Sequence, residues 1–199
     1  MKIIFSLIVL LSILITPQNV YAENLILGGG CFWCMEHDLE SVVGINSVVS
    51  GYAGGALNNP TYEDHKGHQE VVLIDYDPKM IELKDILRRY LRNIDPLDGN
   101  GQFCDRGDSY RPVIFFEDRY EEDESRSALK SASHELDVQS DEIKVELKVK
   151  DKFWMAEDYH QDFAINNELK YKFYRFSCGR DKRLDQLWGV KARTDQPWT

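Results

Sequence analysis

The stretch Asn24-Leu25-Ile26-Leu27-Gly28-Gly29-Gly30-Cys31-Phe32-Trp33-Cys34-Met35 decides how this chain folds. Asn24 to Leu27 reads as a short strand, the three glycines as a turn, and Met35 to Val43 as a helix. Cys31 then falls at a helix N-terminus, where unpaired backbone N–H groups and the helix dipole favour a thiolate. Cys31 and Cys34 are spaced i, i+3, so on a helix starting at Cys31 both sulfurs face one side. The glycines leave room for a substrate to approach Cys31. This arrangement predicts a nucleophile or redox centre. The competing readings are a structural thiol pair or metal ligands. Cys31, Cys34 and His37 have zinc-like spacing, but no second matched pair accompanies them. A c-type haem needs His directly after the second cysteine, where Met35 stands. No metal and no prosthetic group are expected.

Upstream of this stretch lies a leader. Met1-Lys2 gives a positive start, and Ile3 to Ile15 is apolar apart from two serines. Pro17 follows, and Val20-Tyr21-Ala22 carries small residues where a signal peptidase reads. Residues 1–22 are expected to be a cleaved signal peptide, too short in their apolar core for a stable membrane anchor. Export, most simply to a bacterial periplasm, is the expected localisation. Residues 23–199 make one domain of a size that supports a real core.

The chain carries 24 Lys+Arg against 34 Asp+Glu, a net charge of −10. Loss of Lys2 with the leader leaves 23 against 34, or −11. An acidic surface argues against nucleic acid and anionic membranes as partners. A monomer is expected. The four cysteines are Cys31, Cys34, Cys104 and Cys178. An even count in an exported protein ordinarily means structural disulfides. The redox spacing of the first two argues for chemistry instead, supplied by a dedicated electron donor.

Strands and helices interleave downstream. Val48–Tyr52, Glu70–Tyr76, Pro112–Phe116 and Lys144–Val149 read as strands, the last with Val145, Leu147 and Val149 on one face. Glu82–Asn93 and Arg119–Glu135 read as helices, and a further helix is expected near Leu184–Leu187. Between Phe163 and Leu184 lies a short aromatic-rich stretch of no assigned form. The pattern predicts an α/β (α+β) two-layer sandwich, helices packed on a mixed sheet.

Several residues could carry chemistry. Phe32 and Trp33 flank Cys31 and could wall an apolar pocket for a methyl or thioether group. Glu70 opens the most apolar strand, where burial would raise its pKa and let it donate a proton. Tyr62 and Tyr110 lie in loops, with hydroxyls able to hold a developing oxyanion. Asp105 sits in the turn Cys104-Asp105-Arg106-Gly107. His160 is expected to make a structural hydrogen bond.

In chain order, these residues resemble the A-type peptide methionine sulfoxide reductases. The resemblance rests on Gly30-Cys31-Phe32-Trp33, Gly51-Tyr52 with Gly54-Gly55, Asn59-Pro60-Thr61-Tyr62, and Gly67-His68 with Glu70. It continues through Asp105, Gly107 and Tyr110-Arg111 to Glu157-Asp158-Tyr159-His160-Gln161. It implies a ferredoxin-like core and reduction of the S-epimer of methionine sulfoxide, free or in proteins. By that likeness Cys31 is the nucleophile, Glu70 the proton donor, and Tyr62 and Tyr110 hold the sulfoxide oxygen. Asp105 orients the substrate, and Phe32 and Trp33 receive its methyl group. Many members have glycine where Cys34 stands and use cysteines near the C-terminus. Here Cys34 is expected to resolve the sulfenic acid first, with Cys178 sharing or taking over and Cys104 close by. A thioredoxin-like dithiol would restore the thiols. A second reading, from Cys-x-x-Cys alone, is a thioredoxin-like thiol–disulfide oxidoreductase of the cell envelope.

Overall fold

The structure, a computed structural model, describes residues 23–198; the expected leader lies outside the described residues. The elements in order are β1 (Glu23–Gly28), α1 (Phe32–Glu40), β2 (Ile45–Ala53), β3 (Gln69–Tyr76) and α2 (Leu83–Leu91). Two short strands, β4 (Gly101–Gln102) and β5 (Asp105–Arg106), form a small hairpin. Then come β6 (Val113–Phe116), α3 (Arg119–Glu135), β7 (Glu146–Val149) and β8 (Trp154–Met155). Three helices close the described chain: α4 (Phe163–Asn166), α5 (Glu168–Cys178) and α6 (Arg180–Trp188).

The main sheet has the order β7-β6-β1-β3-β2-β8. Its central four strands come from the unit β1-α1-β2-β3-α2-β6, and their order β6-β1-β3-β2 is the ferredoxin-like arrangement. All neighbours are antiparallel except β6 and β7, which are parallel, so the sheet is mixed as expected.

The alternation of β1 and β3 builds two layers of core. Leu25, Leu27, Val72, Ile74 and Tyr76 face the helices, joined by Leu83, Ile86, Leu87, Tyr90 and Leu91 of α2. Ile26, Val71, Val113 and Phe115 face the other way, against Phe153. Both faces of β3 are therefore largely covered, which accounts for its near-continuous apolar run. Fully burying one such aliphatic side chain stabilises the fold by roughly 1.5–3 kcal/mol.

Three expectations about elements need correction. The first helix begins at Phe32, with Cys31 as its N-cap, and ends at Glu40. The strand after Lys144 begins only at Glu146, with Val145 just before it; it is half-exposed, as its alternation predicts, with Leu147 half-buried and Val149 69% exposed. The aromatic-rich stretch is the helix α5, and Cys178 is its last residue.

Candidate active site

The sheet gathers the site at the C-terminal end of β1. In the β1–β3 register Leu27 lies opposite Val72, so Glu70, near the start of β3, comes level with the glycine turn. Val113 pairs with Gly28, bringing in the loop that carries Asp105 and Tyr110. The hydroxyl of Tyr90 donates to the Gly28 carbonyl at 2.7 Å, pinning the turn to α2.

The glycines serve packing, not substrate approach. A Cβ on Gly28 would lie 2.7 Å from Val113 Cγ1, and one on Gly29 2.6 Å from Ile94 Cγ2. Gly30 has φ +84° and Gln102 Cβ would be 2.6 Å away. The space beside each glycine is filled by the protein itself.

One cavity of about 50 Å³ is lined by Cys31, Phe32, Trp33, Tyr62, Glu70, Asp105, Tyr110 and Tyr174. Every pocket residue expected from the sequence is there, together with Tyr174, which was not. Wider surface clefts exist, such as one of about 700 Å³ beside α5 and α6, but no thiol lines that one. The chemistry therefore selects the small cavity.

Cys31 and Cys34 are free thiols, 5% and 2% exposed. They are hydrogen-bonded to each other. Burial pushes the Cys31 thiol well up, outweighing the helix N-terminus that was expected to favour its thiolate. Its hydrogen bond with Cys34 adds to this, as does the Glu70 charge at the alkaline pH where that carboxyl ionises. Cys34 is drawn down, chiefly by the Cys31 thiol hydrogen bond and, against its own burial, by the charges of Arg180 and Arg175. The other two cysteines are joined as Cys104–Cys178, so the sulfur expected at Cys178 to act as a resolving thiol is already bonded.

Glu70 is 2% exposed, and burial pushes its carboxyl up to about 8. The Phe32 N–H donates to Glu70 Oε2 at 3.1 Å, and the Tyr110 hydroxyl also bonds it; both pull the value down but less strongly. Glu70 thus carries its proton at neutral pH. Tyr110 is hydrogen-bonded to Tyr62 as well. Burial raises both phenols, so both remain protonated donors. Asp105, raised by burial, accepts from the Tyr174 hydroxyl at 2.6 Å.

The aromatic wall is held from behind. The indole N–H of Trp33 donates to His160 Nδ1 at 3.1 Å, and burial lowers the His160 pKa, keeping that nitrogen a neutral acceptor. This is the structural role expected of His160. Trp33 stacks on Phe163 at 3.7 Å between centroids, and Phe32 packs on His160 at 4.9 Å. Glu157 accepts from the Tyr62 N–H at 2.9 Å and from the Tyr52 hydroxyl at 3.1 Å, anchoring the Tyr62 loop. His37, the third ligand of the metal reading, instead pairs with Glu40 at 3.5 Å and packs against Tyr171.

Tyr174 was missed because its stretch was not read as a helix. The signal was present: Tyr171, Tyr174 and Cys178 stand at i, i+3 and i+7, one face of a helix.

A buried thiol pair beside a protonated carboxyl and two phenols, on a ferredoxin-like sheet, defines a thiol-based reductase of a small polar oxide. The family model described as "Peptide methionine sulfoxide reductase" matches residues 23–192. Peptide methionine sulfoxide reductase MsrA 2 of Caulobacter vibrioides is 44% identical over 171 residues, covering 84% of this chain and 86% of its own. Methionine sulfoxide reductase A of Corynebacterium diphtheriae has a similar structure, with a TM-score of 0.69 and 26% identity over 77% of this chain and 78% of its own. Mxr1 of Saccharomyces cerevisiae, in complex with Trx2, shares the fold with a TM-score of 0.53 and 19% identity, over 76% of this chain and 91% of its own. The chain belongs to the peptide methionine sulfoxide reductase family, of the MsrA type, and is an enzyme that reduces methionine sulfoxide. The reading as a thioredoxin-like oxidoreductase is not favoured.

Proposed function

We propose that Cys31 attacks the sulfur of an S-epimer methionine sulfoxide whose tip enters the small cavity. A cavity of about 50 Å³ is several times the roughly 10–15 Å³ needed to seat one water, and it suits a methyl sulfoxide end, not a whole side chain. Phe32 and Trp33 receive the methyl group, Tyr62 and Tyr110 hold the oxygen, and Asp105 orients the substrate. Glu70 gives its proton to the oxygen as the sulfur–sulfur bond forms, and the hydroxyl then passes to the Cys31 sulfur as that bond breaks. The products are methionine and a sulfenic acid on Cys31. The observation that carries this reading is Glu70, buried and protonated at neutral pH, in one cavity with Cys31.

Cys34 then attacks the sulfenic sulfur, releasing water and leaving a Cys31–Cys34 disulfide. Its lowered pKa and its contact with Cys31 support this order over Cys178. An external thioredoxin-like dithiol reduces the bond, a donor class suggested by the fold shared with Mxr1, which was crystallised with Trx2. No prosthetic group takes part. Residues 1–22 export the enzyme, most simply to a periplasm, where it acts as a monomer on oxidised proteins.

The test is turnover of both epimers of a peptide methionine sulfoxide with a dithiol reductant. Reduction of the S form only, lost in Cys31→Ser, is the expected result. Turnover that survives Cys31→Ser sinks the reading. Mass mapping after one turnover is expected to find Cys31 bonded to Cys34; a Cys31–Cys178 bond with Cys34 free reverses the order.

A further inference from the structure

The chemistry above leaves one proton without a route. The Cys31 thiol is buried and holds its proton, yet only the thiolate attacks. Glu70 cannot take that proton, because it must arrive at the sulfoxide already protonated.

Tyr174 offers the route. It stands on α5, lines the cavity, and packs edge-on to Trp33 at 6.0 Å between centroids. Its hydroxyl is hydrogen-bonded to the Cys31 sulfur on one side. On the other it donates to Asp105 Oδ2 at 2.6 Å, a short charge-assisted bond. A hydroxyl both accepts and donates, so the three groups form one line.

From this line we infer that Tyr174 is a further catalytic residue, relaying the Cys31 proton to Asp105 as the thiol attacks. The inference rests on the proposed role of Cys31 as nucleophile. In the step, the Cys31 S–H bond breaks and its proton goes to the Tyr174 oxygen. The Tyr174 O–H proton passes to the Asp105 carboxylate. The freed sulfur pair forms a bond to the sulfoxide sulfur while the sulfoxide oxygen takes the Glu70 proton. The hydroxyl then leaves with the S–O electrons and bonds to the Cys31 sulfur, as the sulfur–sulfur bond breaks and its electron pair returns to the thioether. The thiol sulfur is oxidised to a sulfenic acid and the sulfoxide reduced to a thioether. Over the turnover Asp105 has gained the proton that Glu70 has lost, so the net change is thiol plus sulfoxide to sulfenic acid plus thioether.

The other groups facing Cys31 do not replace the relay. Cys34, on α1, is hydrogen-bonded to Cys31, but its sulfur is reserved for the resolving step. Glu70, on β3, is the donor. Tyr62 and Tyr110 are bonded to each other, and Tyr110 also to Glu70. Arg180, on α6, lowers the pKa of Asp105 at the end of the line, and its guanidinium has no acceptor for the proton.

The test reads Cys31 directly, by its rate of alkylation with iodoacetamide across pH in a Cys34→Ser background under non-reducing conditions. Tyr174→Phe is expected to slow alkylation at pH 7.5 about tenfold and move its midpoint up by about one pH unit. Asp105→Asn is expected to do the same, and the double variant no more than either alone, because one line is cut once. With Cys34 restored, Tyr174→Phe should lower kcat by a similar factor with KM nearly unchanged. An unmoved alkylation profile in Tyr174→Phe overturns the relay, and so do shifts that add in the double variant. Turnover that survives Cys31→Ser marks failure of the underlying reading instead, whatever the alkylation profiles show.

Discussion

With Glu70 as the proposed proton donor, this residue sets the pH range of the reaction. Its carboxyl is held up to about 8 by burial, so it is protonated through neutrality and loses its proton as the medium turns alkaline. An acid that must be protonated to act gives a rate that falls above its pKa. The single-turnover rate of sulfoxide reduction is therefore expected to be level near pH 7 and to decline above about pH 8. Glu70→Gln keeps an acceptor for the Phe32 N–H but removes the proton. It should cost about 100-fold in rate and abolish the decline. A decline that survives in Glu70→Gln would assign the acid elsewhere.

At the scale of elements, the site depends on how tightly the glycine turn is packed between β1 and α1. Gly30 combines a left-handed φ of +84° with a Gln102 Cβ at 2.6 Å from where its own would be. Gln102 cannot yield freely, because its side chain accepts from the Asp95 N–H and donates to the Asp95 carbonyl, both at 2.8 Å. Gly30→Ala is expected to destabilise the fold by about 2 kcal/mol, through backbone strain and overpacking. Urea unfolding checks this, and Gly107→Ala, with positive φ but nothing within 4 Å, should cost less.

The same comparison shows what the sequence disclosed. The strand–turn–helix around Cys31, the alternation of β3 and the apolar face of α2 were legible because each has a strong local period. The glycine run was legible as a turn but not as a packing contact, since Val113, Ile94 and Gln102 are distant in sequence. The burial that raises the Cys31 pKa was not legible for a related reason: the helix terminus is local in sequence, whereas burial is tertiary. The residues of the cavity were found through the order of their motifs. Tyr174 escaped because α5 exposes Leu169, Phe173 and Phe176, which blur its helical face.

For the molecule as a whole, buried carboxyls shape stability against pH. Glu36, 2% exposed on α1, accepts from the Asp162 N–H at 3.1 Å and so ties that helix to the segment before α4. Burial raises its pKa from 4.5 to about 7. A carboxyl raised in the folded state binds more protons there than in the unfolded chain between those two values. Stability is then greatest below about pH 4.5, falls as pH rises to about 7, and is level beyond. Asp98 and Asp181, held low against their burial by Arg106 and Arg175, act in the opposite sense, and their contributions are lost as pH falls through their folded values. The maximum therefore lies between these limits. Glu36→Gln removes the alkaline cost while keeping the acceptor. It should leave the melting temperature at pH 4.5 nearly unchanged and raise it at pH 8 by roughly 10 °C, corresponding to about 3 kcal/mol. Melting curves from pH 4.5 to 9 decide the matter: an equal shift at every pH would mean that packing, not ionisation, governs the cost of Glu36.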